Sequence, residues 1–393
     1  MRVVITSRIF APEPAAAAYR LAALAGALAR SGAEVTVLTT RPPAGTAPEA
    51  AGWRAAEADD AAGAVRVRRA PVLRDASGQV RGYLQYLSFD VPLAFRLLFS
   101  RAADVVVTEP PPTTGFVVRV VCALRRRPYV YYAADIWSDA AESTGAPGFV
   151  VRAVRSLERR ALRRARHVVA VTDGVADRVR ALAGHDRVTV VRNGIDTRVF
   201  SPDGPTVEGP PTAVYAGTTS EWQGADVFVR AWPAVTATIP DAKLVFLGQG
   251  SAWDDLRELA EEVAPGAVEF HDLVPPAEAA TRLRSAGAGL VSLKPGQGYD
   301  FAFPTKVYAA LGCGTPVVYA GPGAAAEVID RGDLGRAVDY DTDAVASAVV
   351  EVLRREPGAD AERLAAWTAR HASISSAAKS AADVVRHAAG GVE

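Results

Sequence analysis

Short runs of consecutive apolar residues recur along the chain, and stretches with helical spacing separate them. Val3-Val4-Ile5-Thr6 reads as the first buried strand, and Ala15 to Arg30 as a helix stopped by Ser31-Gly32. Further strands are predicted at Glu34 to Thr39, Asp104 to Thr108, Tyr129 to Tyr132, Val168 to Val171 and Val188 to Val191. Thr172-Asp173 can cap a helix over Gly174 to Leu182. The stretch RNGIDTRVFSPDGPTVEGPPT, Arg192 to Thr212, is rich in Pro, Gly and Asp and reads as an interdomain linker. The alternation then restarts. Strands are predicted at Ala213 to Ala216, Lys243 to Leu247, Val268 to Phe270, Gly289 to Leu293 and Pro316 to Tyr319. Helices are predicted at Ala225 to Ala237, Asp254 to Val263, Ala277 to Ser285 and Lys306 to Gly312. Continuous apolar strands alternating with helices predict parallel sheets covered on both faces. The expected architecture is α/β: two Rossmann-like, doubly wound domains, 1–195 and 196–372, facing a central cleft. A last helix, about 373–393, is expected to pack back on the first domain.

Length agrees, since 393 residues suit two domains. Lys+Arg and Asp+Glu both total 44, so no net charge draws nucleic acid. Cys122 and Cys313 sit in apolar contexts and read as small core residues of a reducing, cytoplasmic compartment. The start MRVVITSRIF reads as a strand, not a signal peptide, and no run of about 18 uncharged apolar residues appears. Neither Cys nor His shows metal-ligand spacing, so no metal and no cofactor are expected.

In parallel sheets, ligands bind past the carboxyl ends of the strands. The loops to inspect are therefore Ser7 to Arg20, Glu109 to Gly115, Asp135 to Gly145, Thr172-Asp173, Gly217 to Gly224, Gly248 to Ser251, His271-Asp272 and Lys294 to Lys306. Lysine is scarce, with only Lys243, Lys294, Lys306 and Lys379. Lys306 follows Thr305 at the start of a helix, where unpaired N–H groups and the helix dipole favour an anion. The same residues read equally as a capped helix beside a solvated lysine. Gly217-Thr218-Thr219-Ser220 can hold an anion through N–H and hydroxyl groups, or be no more than a well-capped loop. Gly248-Gln249-Gly250 permits close approach to backbone, though a lone GxG is weak evidence.

These stretches, in order, resemble the retaining GT-B glycosyltransferases of family 4, most closely the bacterial surface-polysaccharide branch. In the first half the likeness rests on FAPEPAAAAYR, DVVVTEPPPTTG, AADIWSDAAESTG, LERRALRRARHVVAVTDGVADRV and VRNGIDTRVFSP. In the second it rests on AVYAGTTSEWQGADVFVRAW, LVFLGQGS, SLKPGQGYDFAFPTKVYAALGCGTPVV and AAAEVI. The resemblance implies a nucleotide-sugar donor held mainly by the second domain, a hydroxyl acceptor on the first, and no metal. It implies that Lys306 and the Thr305 turn bind the donor diphosphate. Gly217, Thr218, Thr219, Ser220, Gln223, Gly248, Gly250 and His271 become donor-site candidates, with Arg20 and Trp137 for phosphate or acceptor. Asp135 matches the branch's Asp-x-Trp and reads as a catalytic or hydroxyl-binding residue, or as a helix cap.

The chain departs from the family at several of these positions. Many relatives carry a glutamate for the donor ribose where Ala309 stands, and another acid where Phe301 stands. Thr218 and Gln223 replace an Arg and a Lys, and Ala15-Ala16 replaces Gly-Gly. Glu327 is the acid expected to take over the ribose diol. A non-catalytic nucleotide-sugar-binding subunit, or a pseudo-glycosyltransferase, is the rival reading. Two further stretches carry double readings. The basic run Arg152 to Arg166 is a solvated helix face, or a contact for anionic lipid. The apolar stretch Tyr83 to Phe99 is a pair of core-packing helices, or a lipid- or acceptor-facing surface. The first of these lipid readings implies peripheral attachment at the inner face of the membrane.

Overall fold

The computed structural model describes residues 1–13, 15–43, 65–75, 78, 80, 82–143, 146–297, 303–356 and 358–390. They divide into two compact units, one of Met1–Asn193 with Ile374–Glu393, the other of Gly194–Ser373.

The first unit is built on β1 (Arg2–Thr6), β2 (Glu34–Thr40), β3 (Val65–Ala70), β4 (Val105–Thr108), β5 (Tyr129–Ala133), β6 (His167–Ala170) and β7 (Val188–Val190), in the order β3-β2-β1-β4-β5-β6-β7. Every pairing is parallel. The central strands β4 and β5 are buried along their whole length, as a sheet covered on both faces requires. The helix Ile374–Ala389 packs on the helix Ala16–Arg30 and adds Ala381, Ala382 and Val385 to this unit's core.

The second unit carries β8 (Thr212–Ala216), β9 (Lys243–Leu247), β10 (Val268–His271), β11 (Ala288–Ser292), β12 (Val317–Ala320) and β13 (Gly335–Val338), ordered β10-β9-β8-β11-β12-β13 and all parallel. Side chains alternate between two cores. Ala213, Tyr215, Leu244, Phe246 and Leu290 fill one face, while Val214, Val245, Val291, Val317 and Tyr319 fill the other. A two-residue period with both faces apolar is the mark of a doubly wound sheet.

Two local expectations change. The stretch after Tyr83 is one helix, Tyr83–Leu98, with Pro92 inside it, not a pair. Pro92 is exposed, so water can serve the carbonyl that its missing N–H leaves free. At the Lys306 helix the cap position belongs to Pro304, and Thr305 is the first helical residue, making no side-chain cap bond. Thr172, by contrast, caps as expected, its Oγ1 accepting from Val175 N at 3.1 Å.

Candidate functional site

In each sheet the strand order reverses once, between β1 and β4 and between β8 and β11. At such a point neighbouring loops diverge and leave a crevice beyond the strand ends. In the second unit that crevice lies between the loop after β8 and the helix Thr305–Gly312 that follows β11. Lys306 bridges it, donating from Nζ to Thr218 O at 2.9 Å. The ammonium lies 5.0 Å from the ring centre of the buried Tyr215. Among the described residues no carboxylate pairs with it. Burial of the charge without a counter-ion pushes its pKa down to about 7. A desolvated cation in the first turn of a helix suits an anion, and a diphosphate has the charge to supply one.

The loop after β8 is shaped by its neighbours. Gly217 has φ +124°, and a Cβ on it would stand 3.0 Å from Lys306 Cε. Gly248, at φ +148°, passes so close that a Cβ would fall 2.2 Å from Gly217 O. The two glycines thus let two loop backbones and the lysine stem converge. The N–H groups assigned to an anion are largely engaged already. Gly217 N donates to Leu247 O at 2.7 Å and Thr219 N to Gln249 O at 2.9 Å. Ser220 N donates to Gln223 Oε1 at 3.0 Å, so these two residues brace the loop against itself. Thr219 is fully buried and its hydroxyl lacks a partner, while Thr218 is exposed. Gly250, just before the next helix, is held tightly too, since a Cβ there would meet Thr219 O at 1.9 Å.

His271 ends the edge strand β10. Its carbonyl accepts from Gly248 N at 3.0 Å, and its Nε2 stands 3.7 Å from Glu269 Oε2. Ala309 is buried in the apolar cluster beneath the Lys306 helix. Glu327 lies in the first turn of the helix Ala324–Arg331, exposed and paired with Arg331 at 3.0 Å. Phe301 lies outside the described residues.

The first unit gathers charge at its own reversal point. Glu109, past β4, accepts from Ser7 Oγ at 2.5 Å, past β1, and from Arg20 Nη2 at 3.0 Å. All three are buried. Burial raises the Glu109 pKa, and Arg20 and Ser7 act against that rise. Arg20 also donates to Asn193 Oδ1 at 3.3 Å and lies 4.9 Å from the Tyr132 ring centre. Asp135 is exposed just past β5; partial desolvation raises its pKa, and the Arg20 charge offsets part of that. It does not cap the helix Trp137–Ser143. Glu158, buried in the basic helix Gly148–Arg164, does, accepting from Trp137 N at 2.8 Å and Ser138 N at 3.0 Å. Trp137 stands edge-on to Tyr86, with the buried Arg8 guanidinium 4.3 Å from the Tyr86 centre and 5.7 Å from that of Trp137. Glu109, Arg8 and Glu158 were not singled out from sequence. Glu109 stood in an inspected loop, and its signal was a carboxylate directly after the buried strand Val105–Thr108.

Two family patterns fit the chain. Residues 17–199 match Glycosyltransferase Family 4, and residues 210–355 match the group 1 glycosyl transferases. A GDP-mannose-dependent alpha-(1-6)-phosphatidylinositol monomannoside mannosyltransferase of Mycolicibacterium smegmatis is 29% identical over 186 residues. That stretch is 44% of this chain and 47% of the relative, so the match spans about half of that enzyme's length. HepE of Anabaena, solved in complex with UDP and glucose, aligns with a TM-score of 0.73 at 15% identity, covering 98% of this chain and 99% of that one. WaaG, a glycosyltransferase involved in lipopolysaccharide biosynthesis, aligns with a TM-score of 0.72 at 16% identity, covering 98% and 99%. With a glycosyltransferase pattern on each unit and the two-sheet fold shared with these structures, the chain is a glycosyltransferase of GT-B fold, similar to those of family 4.

Proposed function

We propose that this chain is a retaining glycosyltransferase that moves a hexose-type sugar from a nucleoside diphosphate to a hydroxyl acceptor. The product would be a cell-surface glycan or a related lipid-linked or natural-product precursor. One observation carries the reading: Lys306 is a desolvated cation, without a carboxylate partner among the described residues, at the reversal point of the second sheet. HepE, which shares the fold, has been solved with UDP-glucose bound. In this reading the second unit holds the donor and the first the acceptor. The bond from the sugar's anomeric carbon to the diphosphate breaks as the bond to the acceptor oxygen forms on the same face. The acceptor's proton passes to the departing phosphate oxygen, so no enzyme nucleophile is needed. Negative charge grows on the diphosphate, and Lys306 with the helix N-terminus at Thr305 stabilises it. Asp135 orients the acceptor hydroxyl. The work is cytoplasmic and needs no metal, because the lysine and the helix dipole supply the positive charge.

The test is release of nucleoside diphosphate from a panel of UDP-, GDP-, ADP- and dTDP-sugars, with the product anomer read by NMR. Turnover is expected with one base, with retained configuration, and unchanged in excess chelator. Loss in chelator that Mg²⁺ or Mn²⁺ restores rejects metal independence, and an inverted product rejects retention. Tight binding without turnover favours the non-catalytic subunit.

The ribose contact is tested separately. If Glu327 serves the ribose diol, it must leave Arg331, and Glu327→Gln should weaken donor binding about tenfold, the worth of one charge-assisted hydrogen bond. Calorimetry decides. A silent Glu327→Gln leaves the residue as no more than half of a helix ion pair.

A further inference from the structure

Three helices of the first unit pack in series: Tyr83–Leu98 against Pro112–Leu124, and that helix against Gly148–Arg164. Their outward side is unusual in two respects. The first helix exposes Leu84 (69%), Leu87 (52%), Val91 (51%) and Phe95 (59%), and Phe99 (79%) follows directly after it. These positions recur every three or four residues, so they form one stripe along the helix, where a solvated helix would carry charge. Phe95 and Phe99 stack with each other rather than on the core. The second feature is charge. No acidic side chain is exposed on any of the three helices, because Asp90 and Glu158, the acids they contain, are both buried. Arginines are exposed instead. Arg125 donates to Leu97 O at 2.6 Å and Ser100 O at 2.8 Å, which fixes the exposed Arg126 and Arg127 beside the Phe99 end of the stripe. On the third helix Arg152, Arg159 and Arg163 point outward.

We infer that this three-helix face docks on a bilayer surface bearing anionic headgroups. The stripe sinks into the interface between headgroups and acyl chains, and the flanking arginines lie at the phosphates. An apolar stripe alone fits a second copy of the chain as well as a membrane. A stripe bordered by arginines, on helices that expose no acid of their own, fits an anionic plane, because two such faces would repel each other; Glu142, exposed beside the third helix, is already paired with its Arg155 at 2.6 Å. The inference stands on this surface and not on the donor site.

The test is sedimentation of the full chain with vesicles of phosphatidylcholine alone, or mixed with phosphatidylglycerol. Wild type should pellet with the mixed vesicles and not with the neutral ones, and salt should release it. Val91→Glu/Phe95→Glu should weaken vesicle binding about tenfold or more, since two side chains lose their burial. Arg126→Ser/Arg127→Ser should weaken it less and flatten its salt dependence. The thermal shift given by the best nucleotide-sugar should match wild type in every variant, which reports an intact fold. If the Glu pair fails that control, Leu84→Gln/Leu87→Gln replaces it. Equal binding to neutral vesicles, no binding to either, or binding untouched by the stripe variants overturns the inference. A wild-type dimer that the Glu pair splits, with no vesicle binding, also overturns it and makes the face a contact between copies.

Discussion

Lys306→Met should lower turnover about a hundredfold or more, the effect of removing one preorganised charge from a developing oxyanion. The same change should raise the melting temperature, by about 2–4 °C for each kcal/mol in a unit of this size. The two effects have one cause. Lys306 is half-buried, its ammonium set over the Tyr215 ring and donating to one carbonyl, Thr218 O, among the described residues, so its charge is desolvated in the fold. Methionine keeps the stem that packs against Gly217 and removes that charge. Activity and stability are therefore opposed at this residue, as at many strained functional positions. Turnover within about threefold of wild type, in a folded variant, would remove Lys306 from the site, whereas a loss of about a hundredfold keeps it there. A fall in melting temperature would mean that the ammonium's contacts outweigh its desolvation.

The shifted pKa gives this prediction a pH axis. Lys306 has a pKa of about 7 in the fold against an ordinary 10.5. Between those values the unfolded chain holds a proton that the folded one has released, so stability should rise with pH across that window, and the rise should vanish in Lys306→Met. Donor binding has the opposite sign. A diphosphate beside the amine favours its charged form, so below pH 7 the site is already protonated and affinity is flat. Above pH 7 each binding event must take up a proton, and affinity should fall toward tenfold per pH unit. Calorimetry in buffers of differing ionisation heat reads that proton directly. No proton uptake at pH 8 means that the diphosphate does not meet this amine.

Sequence reading succeeded where burial is continuous and failed where it is partial or long-range. Strands such as Val105–Thr108 and Lys243–Leu247 declare themselves through runs of three or four apolar residues, because parallel strands buried on both faces are nearly continuous in apolar side chains. Val65–Ala70 went unread: its sequence VRVRRA alternates with arginine, as suits a half-exposed strand at the sheet edge. The cue for Lys306 is local, a rare lysine at a helix start, and the structure puts that lysine in the first turn of Thr305–Gly312, against the loop after β8. Thr305 misled for the same reason, since capping propensity favours threonine while the backbone gives the position to Pro304. The Ser7–Glu109 contact joins residues 102 positions apart, and no local pattern carries it. Glu158 hid inside a run of arginines that reads as a solvated face, yet it caps the helix that presents Trp137.

Arg20→Ala should destabilise the first unit by about 3 kcal/mol or more, because it strands a buried carboxylate. Glu109 would keep the Ser7 hydroxyl and the more distant Arg8 charge but lose its hydrogen-bonded cation, the larger of the two that oppose its desolvation, so its pKa should climb further. The penalty should therefore shrink at low pH, where the stranded acid can be protonated. Denaturant unfolding at two pH values measures this. Arg20→Met/Glu109→Gln separates fold from function. With both charges gone the desolvation cost goes too, and stability should return to within about 1 kcal/mol of wild type. Activity should not return if Arg20 also serves phosphate or acceptor, since nothing replaces its contact to Asn193 or its charge near Asp135. A double variant as active as wild type would confine Arg20 to neutralising Glu109. One that folds and binds donor but turns over slowly would give it a role at the acceptor, with the loss falling on kcat and acceptor KM.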